Sequence, residues 1–235
     1  MINVNQVYKS VLVILQQEKR GVITPTEFNK IATQSQQEIF TEYFDELNQL
    51  LRQPQTSLAY ADRFALLDAK ISLFKRSNVE TLSGGQITVP ADVQELGTVV
   101  YDNAGPPPSQ REVQRIQKYE VYTTNISPLT APTAFYPVYT YEDNIISIYP
   151  TTLTGDITLN YLKYPSNPKW GFTIDNELGN YVYNPNSSTD FELHQSDQPL
   201  LIDKILGYAG VMSRDQLALQ LAASKEQQID VDGQK

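Results

Sequence analysis

Few residues in this sequence could carry acid–base or metal chemistry, and those few are scattered. His194 is the single histidine and there is no cysteine, whereas metal centres and nucleophilic relays need several such side chains at fixed spacing. The glycine-rich and serine motifs that cradle a phosphate or present a nucleophile are also missing from the sequence. We therefore predict no catalytic residues, no metal site and no cofactor.

Paired carboxylates are the remaining route to catalysis, because a glycosidase needs only two. Asp175 and Glu177 stand close to Trp170 and Phe172 in the sequence, and an acid–aromatic cluster of this kind suits a sugar. Solvated carboxylates in loops are much commoner than catalytic pairs. We expect a non-enzymatic protein and keep the glycosidase as the less favoured hypothesis.

Charge and hydropathy argue against two further classes of protein. Lys and Arg number 18 against 27 Asp and Glu, which gives a net charge of -9, whereas a DNA-gripping surface needs an excess of basic residues. The apolar runs are far shorter than the ~18 residues that cross a bilayer, and residues 1–17 lack the basic segment of a signal peptide. We expect a soluble protein without a membrane span or specific DNA binding.

The uncharged polar residues favour a surface that is covered by neighbouring subunits. The chain has 15 Tyr and one Trp, and tyrosine is enriched in protein–protein interfaces. A compositional bias of the source genome would explain the same numbers equally well. The candidate contact residues are a stiff proline loop and an aromatic stretch: Pro106, Pro107, Pro108, Trp170, Phe172, Tyr181 and Tyr183.

Three amphipathic helices are predicted in the first 80 residues. Apolar residues recur at helical spacing within 4–15, 28–51 and 60–74. Gly21 and Pro54 are typical of the positions that end a helix, so we expect the first two helices to stop there. Helices of this kind bury one apolar stripe each and need one another as packing partners.

The start of the second helix has the clearest local signal in the chain. Thr24 is a good N-cap, Pro25 suits the first helical position, and Glu27 stands where a capping box needs its acid. Ile23 and Phe28 have the spacing of a hydrophobic staple. We therefore predict that this helix begins at Pro25.

From residue 83 the pattern changes to short runs that are typical of strands separated by turns. The strand at 95–101 is predicted to pair across the turn at 102–105. The strands 138–142 and 145–149 should form a hairpin across Asp143 and Asn144, with 157–162 as a third strand in an antiparallel meander. Before them we predict a strand at 113–116 and a helical turn around Tyr119.

The chain then returns to helix. Residues 165–186 indicate an excursion out of the sheet, with a short strand at 181–183, and Asp197 is predicted to cap a final helix. The fold class is therefore α+β: an antiparallel bundle of the N-terminal helices and a C-terminal helix, with an inserted antiparallel β domain. The predicted boundaries are 1–80 for the N-terminal helices, 81–195 for the β domain, and 196–235 for the last helix and a polar tail.

The order of several short motifs resembles structural proteins of crAss-like phages and other short-tailed phages. The resemblance covers most of residues 1–165, and its motifs belong to the framework, so they mark no active site. They are Met1-Ile2-Asn3-Val4-Asn5-Gln6-Val7-Tyr8, Gly21-Val22-Ile23-Thr24-Pro25-Thr26-Glu27-Phe28-Asn29, Val89-Pro90-Ala91-Asp92, Pro128, Pro132 and Pro137 before Tyr139, Ile146-Ser147-Ile148-Tyr149-Pro150, and Tyr161-Leu162-Lys163-Tyr164-Pro165.

This resemblance implies a ring protein of the head–tail connector, similar to the tail adaptors of short-tailed phages. Such proteins are implied to form rings, usually of twelve copies, stacked beneath the portal. The partners are then further copies of the chain, the portal protein and the neighbouring ring or tail proteins. DNA is expected to pass through the lumen during genome ejection without specific binding. The expected location is the virion, after synthesis in the host cytoplasm.

A tail-associated module that binds carbohydrate or a host surface is the alternative hypothesis. It would grip a sugar through Trp170, Phe172, Tyr181 and Tyr183. It accounts for the aromatic residues, but it explains three long amphipathic helices before a β domain less economically than the ring does.

Overall fold

The computed structural model of the 235-residue chain describes residues 1–17, 23–52, 58–103, 109–175 and 179–212. These residues form an α+β fold of α-helices and largely antiparallel sheets. None of the helices in this part of the chain is long and apolar enough to span a lipid bilayer.

The elements follow the expected order of helices, strands and a final helix. The α-helices are α1 (Val4–Gln17), α2 (Pro25–Arg52), α3 (Leu58–Ser72), α4 (Lys118–Ile126) and α5 (Gln198–Met212). The strands are β1 (Lys75–Thr81), β2 (Gln86–Thr88), β3 (Val93–Asn103), β4 (Ser109–Glu112), β5 (Gln114–Arg115), β6 (Val138–Glu142), β7 (Ile145–Tyr149), β8 (Asp156–Lys163), β9 (Phe172–Ile174) and β10 (Tyr181–Tyr183).

Helix α2 begins at Pro25, as its local signals predict. The Glu27 carboxylate accepts hydrogen bonds from the Thr24 backbone N–H (2.9 Å) and hydroxyl (2.7 Å), and the Thr24 oxygen accepts one from the Glu27 N–H (3.3 Å). Ile23 and Phe28 are both buried. The prediction of a capping box is confirmed, because these contacts are made within a few residues and need no distant partner.

The chain divides into two compact units. One consists of Met1–Leu73 and Pro165–Lys235, and the other is Phe74–Tyr164, inserted between them. The first holds α1, α2, α3 and α5, and we refer to it as the helical unit. The second holds strands β1 to β8 and α4, and we refer to it as the β unit.

Helix α5 packs against α1 and α2 in the helical unit, and α3 packs against α2. Asp197, predicted as an N-cap, lies in a 3-10 turn (Gln195–Asp197) directly before α5. Its carboxylate accepts hydrogen bonds from the Tyr43 hydroxyl (2.5 Å) and the Lys70 ammonium (2.7 Å). Asp197 therefore joins α2 and α3 to the start of α5.

The units divide the chain at residues other than the predicted boundaries. Residues 165–195, placed in the β domain by the sequence, belong to the helical unit. One reason is a backbone bridge: the Ile2 N–H donates to the Phe191 oxygen (3.2 Å) and the Phe191 N–H donates to the Ile2 oxygen (3.0 Å). Both side chains are buried. The aromatic excursion thus belongs to the helical unit.

Two four-stranded sheets make up the β unit, with strand orders β1-β8-β3-β4 and β2-β7-β6-β5. Their strands pair antiparallel, except that β5 pairs parallel with β6. Side chains from both sheets share one apolar core. Its buried members are Leu82, Ile87, Val89, Val99, Tyr101, Val113, Tyr139, Ile146, Ile148, Leu153, Ile157, Leu159 and Tyr161.

The structure corrects the predicted meander. Strands β6 and β7 form the expected hairpin, and Asp143 and Asn144 at its turn both have positive φ, as a tight two-residue turn requires. Strand β8 does not continue this hairpin. It lies between β1 and β3 in the other sheet, where its alternating side chains Ile157, Leu159 and Tyr161 enter the apolar core that both sheets share.

Strand β1 was missed by the sequence analysis. Its sequence, Lys-Arg-Ser-Asn-Val-Glu-Thr, contains one apolar residue, Val79, which is exposed. An edge strand with polar residues on both faces leaves no hydrophobic alternation to detect. Other predictions concern residues outside the described part of the chain: the helix stops at Gly21 and Pro54, and the polar tail within 213–235.

Candidate assembly interface

The aromatic residues singled out in the sequence form one cluster in the helical unit. Strands β9 and β10 pair antiparallel, with Phe172 opposite Tyr183 and Ile174 opposite Tyr181. The Trp170 ring centroid lies 6.1 Å from that of Phe172 and 5.7 Å from that of Tyr183. Phe172 meets Tyr181 edge-on at 5.1 Å. The hairpin and the tryptophan thus pack as a unit.

Trp170 anchors this cluster to the first two helices. Its ring lies 4.3 Å from that of Tyr8 on α1, and its indole N–H donates to the Asn5 side-chain oxygen (3.1 Å). On α2, Asn29 binds the Trp170 backbone twice, accepting from its N–H (2.7 Å) and donating to its carbonyl (3.2 Å). Trp170 is only 4% exposed, so its face is not open for a sugar to stack on. This burial counts against the carbohydrate-binding hypothesis.

A second amide on α2 holds the same segment. Gln36 lies two helical turns after Asn29, on the same side of the helix. Its side chain donates to the Ser166 carbonyl (2.7 Å) and accepts from the Glu192 N–H (3.0 Å). The two amides satisfy backbone groups that would otherwise lack a strand partner.

The hairpin remains partly open on both faces, because side chains alternate along a strand: Ile174 and Tyr181 share a face, and Val182 lies on the other. Ile174, Tyr181 and Val182 are each about half exposed, and we call these three residues the hairpin surface. Phe172 and Tyr183 are half-buried. Burial raises the pKa of the Tyr8 phenol, whose ring packs against Trp170, and the nearby Tyr181 adds to the shift.

The proline loop gives no structural outcome, because Pro106, Pro107 and Pro108 lie outside the described residues. Of the seven candidate contact residues, the structure brings together the four aromatic ones. Among these, Tyr181 has the most exposed side chain and Trp170 is a buried anchor.

A larger open apolar surface lies in the β unit, and the sequence analysis did not select it. On α4, Tyr119, Tyr122 and Ile126 are at i, i+3 and i+7, which places them on one face, while Val121 on another face is buried. That spacing was the signal in the sequence by which this surface could have been predicted. The α4 surface consists of these three residues and three from the following segment: Tyr119, Tyr122, Ile126, Leu129, Phe135 and Tyr136.

The backbone under the α4 surface is firmly held. The Gln117 N–H donates to the Glu120 carboxylate (2.9 Å) at the start of α4. Arg111 donates to the Phe135 carbonyl (3.0 Å), and its guanidinium lies 4.2 Å from the centre of the Phe135 ring. Apolar side chains on an ordered backbone lose less conformational entropy on binding than those on a flexible loop.

The few residues that could carry acid–base or metal chemistry have structural positions in the fold. The His194 ring nitrogen Nδ1 accepts a hydrogen bond from the Ser196 N–H (3.3 Å) and thereby caps the 3-10 turn before α5. Asp175 follows β9 directly, and Glu177 lies outside the described residues. Within the described ranges, no group of three or more His, Cys, Asp or Glu side chains is placed to hold a metal ion.

A family model described as SU10 adaptor protein matches residues 29–230. The chain belongs to the SU10 adaptor protein family. The match includes nearly all of α2, the β unit and α5. Membership gives the chain a structural role as a phage head–tail adaptor and makes it a component of the virion. No curated protein matches the chain.

Proposed function

We propose that this member of the SU10 adaptor family forms a twelve-copy ring between the portal and the tail of a crAss-like, short-tailed phage. The genome passes through the lumen of the ring during ejection. The observation that carries this proposal is the pair of separate open apolar surfaces, one in each unit of an adaptor-family chain.

A closed ring repeats one contact between two different surfaces of the subunit. We assign the hairpin surface and the α4 surface, which consist of different exposed residues, to the two sides of this contact. Large apolar patches on a soluble protein mark interaction sites. Further contacts, above and below the ring, connect it to the portal protein and to neighbouring ring or tail proteins.

The acidic balance of the chain suits a conduit for DNA. With a net charge of -9, the subunit repels phosphate groups on average, so the genome can slide past without binding. Screening by salt limits this repulsion to roughly 10 Å from the surface. The proposal therefore predicts no measurable specific binding of the isolated chain to duplex DNA.

The direct test is the copy number of this chain in purified virions, measured against the portal subunit by quantitative mass spectrometry. We expect a one-to-one ratio, because both rings then hold the same number of subunits. Absence of the chain from the particle would overturn the proposal. A copy number far below that of the portal subunit would contradict a complete ring.

A further inference from the structure

We propose that the α4 surface is the binding site for a second copy of this chain, and that it receives the hairpin surface of that copy. The proposal rests on the ring function proposed above and names the contact that repeats around the ring. It assigns each unit of the chain one half of the contact.

The area of the α4 surface matches what a stable protein–protein contact needs. At about 200 Å² for a large side chain, exposed fractions between 64% and 94% leave roughly 900 Å² of this surface open to solvent. A standard interface buries about 800 Å² on each partner. The six large apolar side chains within residues 119–136 together expose an area comparable to one side of such an interface.

Charge indicates which partner fits. Glu120 is the only charged residue from Tyr119 to Tyr136, and its carboxylate already accepts the Gln117 N–H. A nucleic acid or a strongly charged protein would select a surface of opposite charge. Two copies of a chain with a net charge of -9 repel each other, so a stretch with a single carboxylate is a favourable place for them to meet.

The hairpin surface supplies a complementary apolar element. Strands β9 and β10 pair only with each other among the described strands, and two strands alone are marginally stable. Trp170 packs against Phe172 and Tyr183, while Ile174 and Tyr181 on that face and Val182 on the other face stay about half exposed and available to a neighbour. An aromatic and two aliphatic side chains suit the tyrosines and leucine of the α4 surface.

Cysteine cross-linking in assembled particles tests the contact, because the chain has no cysteine of its own. The test variant carries Tyr122→Cys and Val182→Cys, and a flexible bis-maleimide provides more reach than a disulfide. The control variant carries Val79→Cys and Val182→Cys; Val79 is exposed on β1 in the same unit as Tyr122.

We expect the test variant to give a ladder in steps of 26.6 kDa on a denaturing gel, and the control variant to stay monomeric. If the test variant stays monomeric in particles that hold the chain at a one-to-one ratio to the portal subunit, the proposed ring is unaffected but the proposed contact is wrong. Cross-links from Tyr122→Cys to a different protein would also overturn it. Absence of the chain from particles would instead refute the ring.

A mixture of single variants tests the same contact if the double variant does not assemble into particles. Chains with only Tyr122→Cys and chains with only Val182→Cys are co-expressed with the unaltered chain, whose excess maintains assembly. The proposal requires cross-linked dimers that contain one chain of each kind. Dimers of a single kind, or none, would contradict it.

Discussion

Asn29, Gln36 and Asp197 each join parts of the chain that lie far apart in sequence. Asn29 and Gln36 bind backbone groups of the returning segment with both ends of their amides. Asp197 binds Tyr43 and Lys70, which stand on two different helices. Buried polar groups of this kind are costly if one partner is lost, so each has a measurable effect on stability.

Replacing Asp197 with Asn should lower the free energy of unfolding by about 3 kcal/mol, because Lys70 then keeps its charge in a mostly buried place without a counterion. The side chains of Lys70 and Asp197 are only 14% and 7% exposed. Urea denaturation followed by circular dichroism measures the change.

The matched control for this variant is Glu142→Gln. It breaks the ion pair with Lys118, in which both side chains are largely exposed, so we expect no measurable change in the free energy of unfolding. Equal losses in the two variants would show that burial of the Lys70–Asp197 pair is unimportant.

Glu27 should make the free energy of unfolding depend on pH in the acidic range. Hydrogen bonds from the Thr24 backbone and side chain hold the pKa of Glu27 below its usual 4.5. A group whose pKa is lower in the folded chain stabilises the fold above the unfolded pKa, and this stabilisation is lost as the pH falls through the folded pKa. Glu27→Gln should therefore lose less stability than the unaltered chain between about pH 5 and about pH 3.

The pH comparison is measured as the midpoint of urea unfolding at each pH. Glu46→Gln, at an exposed position further along α2, is the control and should follow the unaltered chain. If Glu27→Gln showed the same acid sensitivity as the control, the capping box would not be the source of the effect.

At the scale of elements, α4 combines a buried residue and an exposed apolar face within one short helix. Val121 is buried in the β unit, whereas its neighbour Tyr122 is exposed. Adjacent residues of a helix point about 100° apart, so one can serve the core while the next serves a partner. The two positions are therefore a natural pair for mutation.

Tyr122→Ser should leave the free energy of unfolding almost unchanged, because the Tyr122 side chain makes no large contribution to the core. The same substitution should reduce incorporation of the chain into particles. Val121→Ser should lower the unfolding free energy by about 2 kcal/mol through lost apolar burial. Thermal unfolding of the purified chain and its copy number in virions measure the two effects. Normal incorporation of Tyr122→Ser would contradict a role for the α4 surface in assembly.

At the scale of the whole molecule, the β unit has the features of an independent folding unit. It is a continuous segment, Phe74–Tyr164, with its own apolar core. Its two ends meet, because β1 pairs with β8 and the Lys163 N–H donates to the Phe74 carbonyl (2.9 Å). Insertion of such a unit into another is tolerated when its ends lie close together.

An excised fragment of residues 74–164 should therefore fold on its own. We expect a cooperative thermal transition and dispersed amide signals in an NMR spectrum. A fragment with its ends shortened to 82–155 lacks both β1 and β8 and is the control that should remain unfolded. A fragment 74–164 without a cooperative transition would show that the β unit needs the rest of the chain.

The sequence by itself determined those features that depend on neighbouring residues. The start of α2 at Pro25 follows from side chains within one helical turn, and the β6–β7 hairpin follows from Asp143 and Asn144 between two apolar runs. The likeness to short-tailed phage adaptors likewise depends on short motifs in order, and the family match supports the adaptor part of it.

Only the tertiary structure decided which partners these elements take. Strand β8 was recognisable as a strand, but its place between β1 and β3 depends on residues far along the chain. Trp170 became a buried anchor because Asn5, Tyr8 and Asn29 surround it. Local patterns encode conformations through short-range hydrogen bonds and periodic burial, whereas pairing and exposure depend on long-range packing that a single stretch of sequence does not contain.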